Sequence, residues 1–156
     1  MKAVVGRRLF VLAASLACAM PAAAAERFGH SEVIGHGSGP VPTNWTGTPI
    51  VTARQVGAPG AAGRPASLKC LWRVDLEIKR RAQMASGVAL TATSREDRVF
   101  ELARPGWCGN PATAFAGRVA ERDHVLQARL RRHAAHDTKA VMAQADAIVR
   151  AASATG

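Results

Sequence analysis

The sequence predicts a small α+β fold: an antiparallel β-hairpin or small sheet followed by one or two C-terminal helices. Three observations carry this prediction. Residues 67–81 alternate between apolar and charged side chains, residues 111–152 carry apolar side chains at helical spacing, and residues 26–66 are rich in glycine and proline. We therefore divide the chain into a leader (1–25), a Gly/Pro-rich arm (26–66) and a small folded domain (67–156).

The leader has the layout of a secretory signal peptide. A short basic segment precedes an apolar run from Leu9 to Met20, and the small residues up to Ala25 fit a cleavage site. A transmembrane helix needs roughly 20 apolar residues, and no stretch of the chain is that long. The alanine-rich run resembles bacterial export signals. We expect a periplasmic or secreted protein, cleaved near Ala25, that does not span a membrane.

Cleavage changes the charge and the cysteine count. The formal net charge falls from +10 to +7, because three basic residues leave with the leader: Lys2, Arg7 and Arg8. Cys18 leaves as well, unless it is the lipidated cysteine of a lipoprotein, an alternative that the sequence leaves open. Cys70 and Cys108 remain, and two cysteines in an oxidising compartment predict one disulfide.

The arm, residues 26–66, is interrupted throughout by turn-forming residues. Its 41 residues include eight glycines and five prolines, so we expect a flexible segment. Alternation from Pro49 to Val56 predicts one strand that adds to a sheet edge. Gly57 to Arg64 has the composition of a linker.

The clearest strand lies in residues 67–81. One parity is apolar and predicts a buried face: Cys70, Trp72, Val74, Leu76 and Ile78. The other parity is charged and predicts a solvated face: Arg73, Asp75, Glu77 and Lys79. Because this charged face mixes both signs, we interpret it as a solvated surface with salt-bridge partners.

Two arrangements of the following strands are compatible with the pattern. In the first, strand 68–80 returns along 88–103 as a long hairpin, with a bulge near Arg95 to Asp97. In the second, three shorter strands form a meander. The hairpin is favoured because it brings Cys70 close to Cys108. A bond closing about 38 residues contributes roughly 3–4 kcal/mol in the chain-entropy model.

The C-terminal third predicts helix. Asn110 and Pro111 fit an N-cap and a first helical position. Apolar residues then form a stripe: Phe115, Val119, Leu126, Leu130, Val141, Ala145, Ile148 and Ala152. Asp137 interrupts one row of this stripe and also fits the cap of a second helix. One helix and two helices over residues 111–152 both remain open.

Motifs of catalysis and cofactor binding are incomplete. The stretch Gly35 to Gly39 contains Ser38, but His36 stands where a G-x-S-x-G motif needs glycine, and the stretch completes no phosphate-binding loop. The carboxylate pair Asp75 and Glu77 lies on the predicted solvated face. The sequence therefore predicts no catalytic residue and no cofactor.

Two clusters on the predicted helix are candidate sites. Four arginines form a candidate anion-binding surface: Arg118, Arg122, Arg129 and Arg132. Three further residues have the spacing of half a metal site: His133, His136 and Asp137. Few aromatic residues accompany the arginines, so we do not expect nucleic-acid binding.

The function expected from these observations is that of an exported, non-catalytic interaction or envelope-associated protein whose partner is unknown. One alternative is a basic protein that binds anionic envelope polymers or lipids through the Arg-rich helix. The other is a histidine-based metal binder.

Overall fold

The computed structural model describes residues 28–60, 62–63, 66–109 and 119–154. Four strands precede one helix: β1 (Phe28–Ile34), β2 (Val41–Val56), β3 (Lys69–Gln83), β4 (Ala89–Pro105) and α1 (Asp123–Ala154). The sheet order is β1-β2-β3-β4, and each strand pairs antiparallel with its sequence neighbour. This arrangement confirms the predicted α+β class.

Strands β3 and β4 form the long hairpin that the sequence favours. Met84 and Gly87 close the turn, where the Met84 backbone N–H donates to the Val88 carbonyl at 2.9 Å. The register shifts between Val74 and Leu76 of β3, whose partners are Phe100 and Glu96. Residues 97–99 of β4 therefore lie opposite one residue of β3, so the predicted bulge exists but is centred slightly beyond the expected position.

The prediction of a flexible arm over residues 26–66 requires correction. Most of this segment forms β1 and β2, and β2 lies between β1 and β3 rather than at an edge. Gly47 supplies a close approach, since a Cβ there would lie 3.2 Å from Leu76 Cδ1. Gly47 is the last residue of β2 that pairs with β1. Pro49 comes two residues later, where β2 pairs only with β3, so the N–H that proline lacks is not needed for pairing with β1.

One face of the sheet forms the core with α1. The apolar parity of β3 is buried as predicted, from Cys70 through Ile78. Across from it, α1 buries Leu126, Leu130 and Val141, each of which has no exposed area. Burial of one such leucine stabilises the fold by about 1.5–3 kcal/mol.

Within the described residues, the chain forms one helix from Asp123 to Ala154, so no second helix begins at Asp137. The 32 residues of α1 run without interruption through Asp137, whose carboxylate faces the sheet instead of capping a new helix. Residues 121–122 form a turn just before α1. The predicted cap at Asn110 and Pro111 lies outside the described residues, as do the leader and Cys18. Among the described helical residues, none forms a segment apolar enough to cross a bilayer.

Cys70 and Cys108 lie at disulfide distance, with their sulfur atoms 1.96 Å apart and their Cα atoms 5.0 Å apart. Gln55 of β2 holds the same end of the sheet. Its amide donates to the carbonyls of Lys69 at 2.9 Å and Gly106 at 3.1 Å, and its Oε1 accepts from the Cys108 backbone N–H at 2.7 Å. The segment after β4 is thus fixed to both β2 and β3.

Candidate functional site

The face of α1 turned away from the sheet carries a row of basic side chains. Arg129, Arg132, His136 and Lys139 follow one another at alternating steps of three and four residues, which places them on one side of the helix. We call these four residues the α1 basic row. The ten steps of 1.5 Å from Arg129 to Lys139 make the row about 15 Å long.

No acidic side chain among the described residues forms an ion pair with this row. Asp137 points to the sheet and binds Arg80, and Asp146, the next charged residue along the same side, is bonded to His36. Within the described part of the chain, none of the row's arginine or lysine side chains takes part in an ion pair. Like charges at this spacing destabilise a helix by a few tenths of a kcal/mol per pair. The row is therefore an uncompensated positive surface.

The structure divides the four arginines predicted to bind anions. Arg129 and Arg132 belong to the α1 basic row, whereas the guanidinium of Arg122 lies 5.3 Å from the ring centroid of Phe100 and packs on the core. Arg118 lies outside the described residues. Lys139, which the sequence analysis did not include, completes the row.

The three residues predicted to bind a metal do not converge. His133 Nε2 lies 2.9 Å from Ser94 Oγ, and its Nδ1 lies 3.4 Å from Glu96 Oε1. The carboxylate of Asp137 forms an ion pair with Arg80, and the positive charge of Arg80 would repel a metal cation at this position. Within the described ranges, no three His, Cys, Asp or Glu side chains form a metal-binding group. The predicted half-site is thus not assembled.

A buried ion pair explains the orientation of Asp137. Arg80 extends from the buried face of β3 with only 2% of its side chain exposed, and its Nη1 donates to both carboxylate oxygens of Asp137, at 3.0 and 3.2 Å. Trp45 Nε1 donates to the same carboxylate at 2.8 Å, and Arg80 Nη2 donates to Gln144 at 2.5 Å. His30 stacks on Trp45, with ring centroids 5.7 Å apart. These bonds fix α1 on the sheet.

A Ser–His–Asp chain lies at the β1–β2 turn. The Ser38 backbone N–H donates to His36 Nδ1 at 3.2 Å, and Ser38 Oγ lies 2.7 Å from the same nitrogen. Nδ1 is therefore the unprotonated nitrogen, and Nε2 donates to Asp146 Oδ1 at 2.9 Å. Although these are the groups of an acyl-transfer triad, the serine lies two residues from the histidine within one turn. These contacts attach the β1–β2 turn to α1.

The opposite face of the sheet contains an unexpected buried carboxylate. Asp75, predicted to be solvated, has 1% of its side chain exposed because the β4 bulge folds over it. Its Oδ1 accepts from Arg73 Nε at 2.7 Å and from the Arg98 backbone N–H at 2.8 Å, and its Oδ2 accepts from Arg95. Burial raises the pKa of Asp75, but the bonds from Arg95, Arg98 and Arg73 outweigh burial and lower it from 3.8 to about 2.

This shift predicts a pH-dependent stability. A carboxyl whose pKa is lower in the folded state stabilises the fold above its unfolded pKa, and the contribution is lost as pH falls through the folded pKa. The lowered pKa corresponds to about 2 kcal/mol. Arg73 and Arg95 are themselves 36% and 48% exposed, so solvent screening reduces the value. We expect Asp75→Asn to lower the free energy of unfolding by about 1–2 kcal/mol at pH 7.

Urea unfolding of wild type and Asp75→Asn at pH 7, 4, 3 and 2.5 measures this effect. The difference between the two proteins should shrink as pH falls from about 4 towards 2. Glu77→Gln, on the same strand face, is the matched control and should cost less than about 0.5 kcal/mol. A difference between wild type and Asp75→Asn that stays constant down to pH 2.5 would assign the effect to side-chain shape rather than charge.

Comparison of this chain with protein-family models, with curated proteins and with solved structures finds no match.

Proposed function

We propose that this chain is an exported, non-catalytic protein that binds phosphate-bearing surfaces of the cell envelope through the α1 basic row. The observation that carries the proposal is the unopposed charge of Arg129, Arg132 and Lys139 on one side of a rigid helix. The leader sequence supports export, since it has the layout of a signal peptide.

The packing of α1 supports binding by charge rather than by insertion. The apolar side of the helix, with Leu126, Leu130 and Val141, is buried against the sheet and is not available to a bilayer. The basic row projects from the opposite side. A surface of this kind attracts phosphate groups through long-range Coulomb interaction, which salt screens over about 10 Å at 0.1 M. Binding should therefore weaken steeply with ionic strength.

Vesicle co-sedimentation tests the proposal. The full chain is mixed at low salt with vesicles containing an anionic phospholipid or with purely zwitterionic vesicles, and in a separate arm with soluble polyphosphate. We expect retention on the anionic vesicles and not on the zwitterionic ones. Competition by polyphosphate would identify the phosphate group as the determinant, whereas binding to polyphosphate alone would assign the partner to a polymer rather than a lipid.

The variant Arg129→Gln/Arg132→Gln/Lys139→Gln should lose at least tenfold in affinity. A second triple variant removes the same charge from exposed positions elsewhere: Lys69→Gln, Arg81→Gln and Arg104→Gln. This control should retain most of the binding. Equal loss in both variants would show that net charge, not the row, is responsible. Absence of retention by the wild type at low salt would overturn the proposal.

A further inference from the structure

A second basic site lies on the other side of the molecule, on the sheet face that α1 does not cover. This face has a cavity of about 560 Å³. Its lining includes three arginines and one acidic residue: Arg54, Arg73, Arg98 and Glu101. Leu71 and Thr52 lie between these side chains on the sheet surface. The site is thus an arginine-rich depression formed by β2, β3 and β4, with Leu71 as the apolar part of its floor.

Arg98 reaches this cavity from an unusual backbone conformation. It has a φ of 50° and is the one non-glycine residue with positive φ in the described part of the chain. Residues with a Cβ adopt this conformation rarely, and when they do they cluster at functional sites. The β4 bulge imposes it, and the buried Asp75 holds it by accepting the Arg98 backbone N–H. Bulges commonly redirect a side chain towards a site in this way.

The same buried carboxylate fixes a second arginine of the cavity. Arg73 donates through Nε to Asp75 at 2.7 Å, and its Nη2 lies 3.2 Å from Asp97 Oδ1. The hydrogen bond to Asp75 and the ion pair with Asp97 hold the guanidinium plane, while Arg73 Nη1 has no protein partner within the described residues. A fixed arginine with free N–H groups loses little entropy when it binds a planar oxyanion.

The charges of the cavity are only partly balanced. Arg54 has no ion-pair or hydrogen-bond partner in the described ranges, and Arg98 meets Glu101 at 3.9 Å, the outer limit for an ion pair. Arg98 is 69% exposed and Glu101 is 57% exposed, so water weakens that contact further. Counting Arg95 and the carboxylates of Asp75, Asp97 and Glu101, four arginines meet three acids, which leaves a net charge of about +1 around Leu71.

We propose that this cavity is a binding site for a small organic anion. Its carboxylate or phosphate would be held by Arg54, Arg73 and Arg98, and its apolar part would lie over Leu71. The site is independent of the α1 basic row, which faces away from the opposite side of the sheet.

Three probes define the ligand chemistry: phenyl phosphate, benzoate and inorganic phosphate, each titrated into the full chain and followed by the backbone amide NMR signals of residues 98–101. We expect millimolar or tighter binding of at least one aromatic anion. Preference for phenyl phosphate assigns the site to phosphate esters, and preference for benzoate assigns it to carboxylates. If inorganic phosphate binds as tightly as the preferred aromatic probe, the apolar contact with Leu71 does not contribute to binding, and the role given to Leu71 is overturned.

Arg98→Gly separates binding from folding, because glycine adopts positive φ without strain. This variant should fold at least as stably as the wild type and bind the preferred probe at least tenfold more weakly. Arg54→Gln should weaken binding in the same direction. Arg81→Gln, which removes an equal charge outside the cavity, should leave it unchanged. Wild-type affinity in Arg98→Gly, or no binding of any probe to the wild type, would overturn the proposal.

Discussion

Asp137→Ala is expected to lower the free energy of unfolding by about 3–5 kcal/mol, a value typical of breaking a buried ion pair by removing one partner. The substitution leaves the guanidinium of Arg80 buried without a counter-charge. It also removes the acceptor of the Trp45 indole N–H. Urea unfolding at pH 7, followed by tryptophan fluorescence, measures the loss, and Trp45 reports on it directly because it is fully buried.

The large expected cost comes from Arg80 rather than from the strength of the pair. Arg80 Nε is buried and has no hydrogen-bond partner among the described residues, so the guanidinium depends on Asp137 and Gln144 for its bonds. Burying an unpaired charge is costly, whereas replacing both partners with apolar groups often costs little. The pair thus fixes the position of α1 without being a net source of stability.

A double-mutant cycle with Arg80→Met tests this reasoning. The double variant Arg80→Met/Asp137→Ala should be markedly more stable than Asp137→Ala alone. Asp146→Ala serves as the control on the same helix. Its carboxylate is 55% exposed and should cost less than about 1 kcal/mol. A loss below about 1 kcal/mol in Asp137→Ala would mean that water reaches Arg80 and that the pair does not hold the helix.

The two partners of this ion pair were each visible in the sequence as an anomaly. Arg80 continues the parity of the buried face two residues after Ile78, where a charge is out of place. Asp137 interrupts an apolar row of the helix between Leu126 and Ile148. A charge on a buried face requires a partner, and two opposite charges on facing elements identify each other. From the sequence, Asp137 was noted as an interruption that also fits a helix cap, and Arg80 was not considered as its partner.

Strands β1 and β2 were largely missed for a different reason. The local signals in residues 26–66 are glycine and proline, which disfavour strands by intrinsic preference. Pairing to β3 overrides that preference along β2 from Thr43 to Val56. Gly47 fills a position where a side chain would crowd Leu76, so here glycine reflects packing rather than flexibility. The alternation of β3, that of Pro49 to Val56 in β2 and the periodicity of α1 are local patterns, and they could be interpreted without the tertiary structure.

The buried Asp75 had no sequence signal of its own. Its neighbours Arg73 and Glu77 share its strand face and are exposed enough to be ordinary surface residues. Asp75 differs because the bulge of β4, which lies more than twenty residues further along the chain, folds over it. The cavity lined by Arg98 depends on the same bulge. The burial of Asp75 and the cavity lined by Arg98 therefore both depend on the register between β3 and β4, which the pattern within one strand does not specify.

Replacing both cysteines, Cys70→Ala/Cys108→Ala, is expected to lower the free energy of unfolding by about 3–4 kcal/mol. The bond closes a loop with a sequence separation of 38 residues. Its main effect in the chain-entropy model is on the unfolded chain, which gains conformations when the bond is absent. Urea unfolding of the variant and of the oxidised wild type gives the difference, and wild type reduced with dithiothreitol should unfold like the variant.

A thiol assay of the denatured, exported protein checks the bond and the leader together. Removal of residues 1–25 with the disulfide intact leaves no free thiol, and retention of Cys18 as an unmodified residue leaves one. Detection of both Cys70 and Cys108 as free thiols would contradict the disulfide.

The folded state should change little when the bond is removed. Lys69 pairs with Pro105 at the end of the hairpin, and Gln55 holds Gly106 and the Cys108 backbone without using either sulfur atom. The double variant should therefore keep the wild-type sheet register, as measured by cross-strand NOEs, while losing stability. Loss of the register along with the stability would mean that the disulfide acts on the native strand ends and not on the unfolded chain.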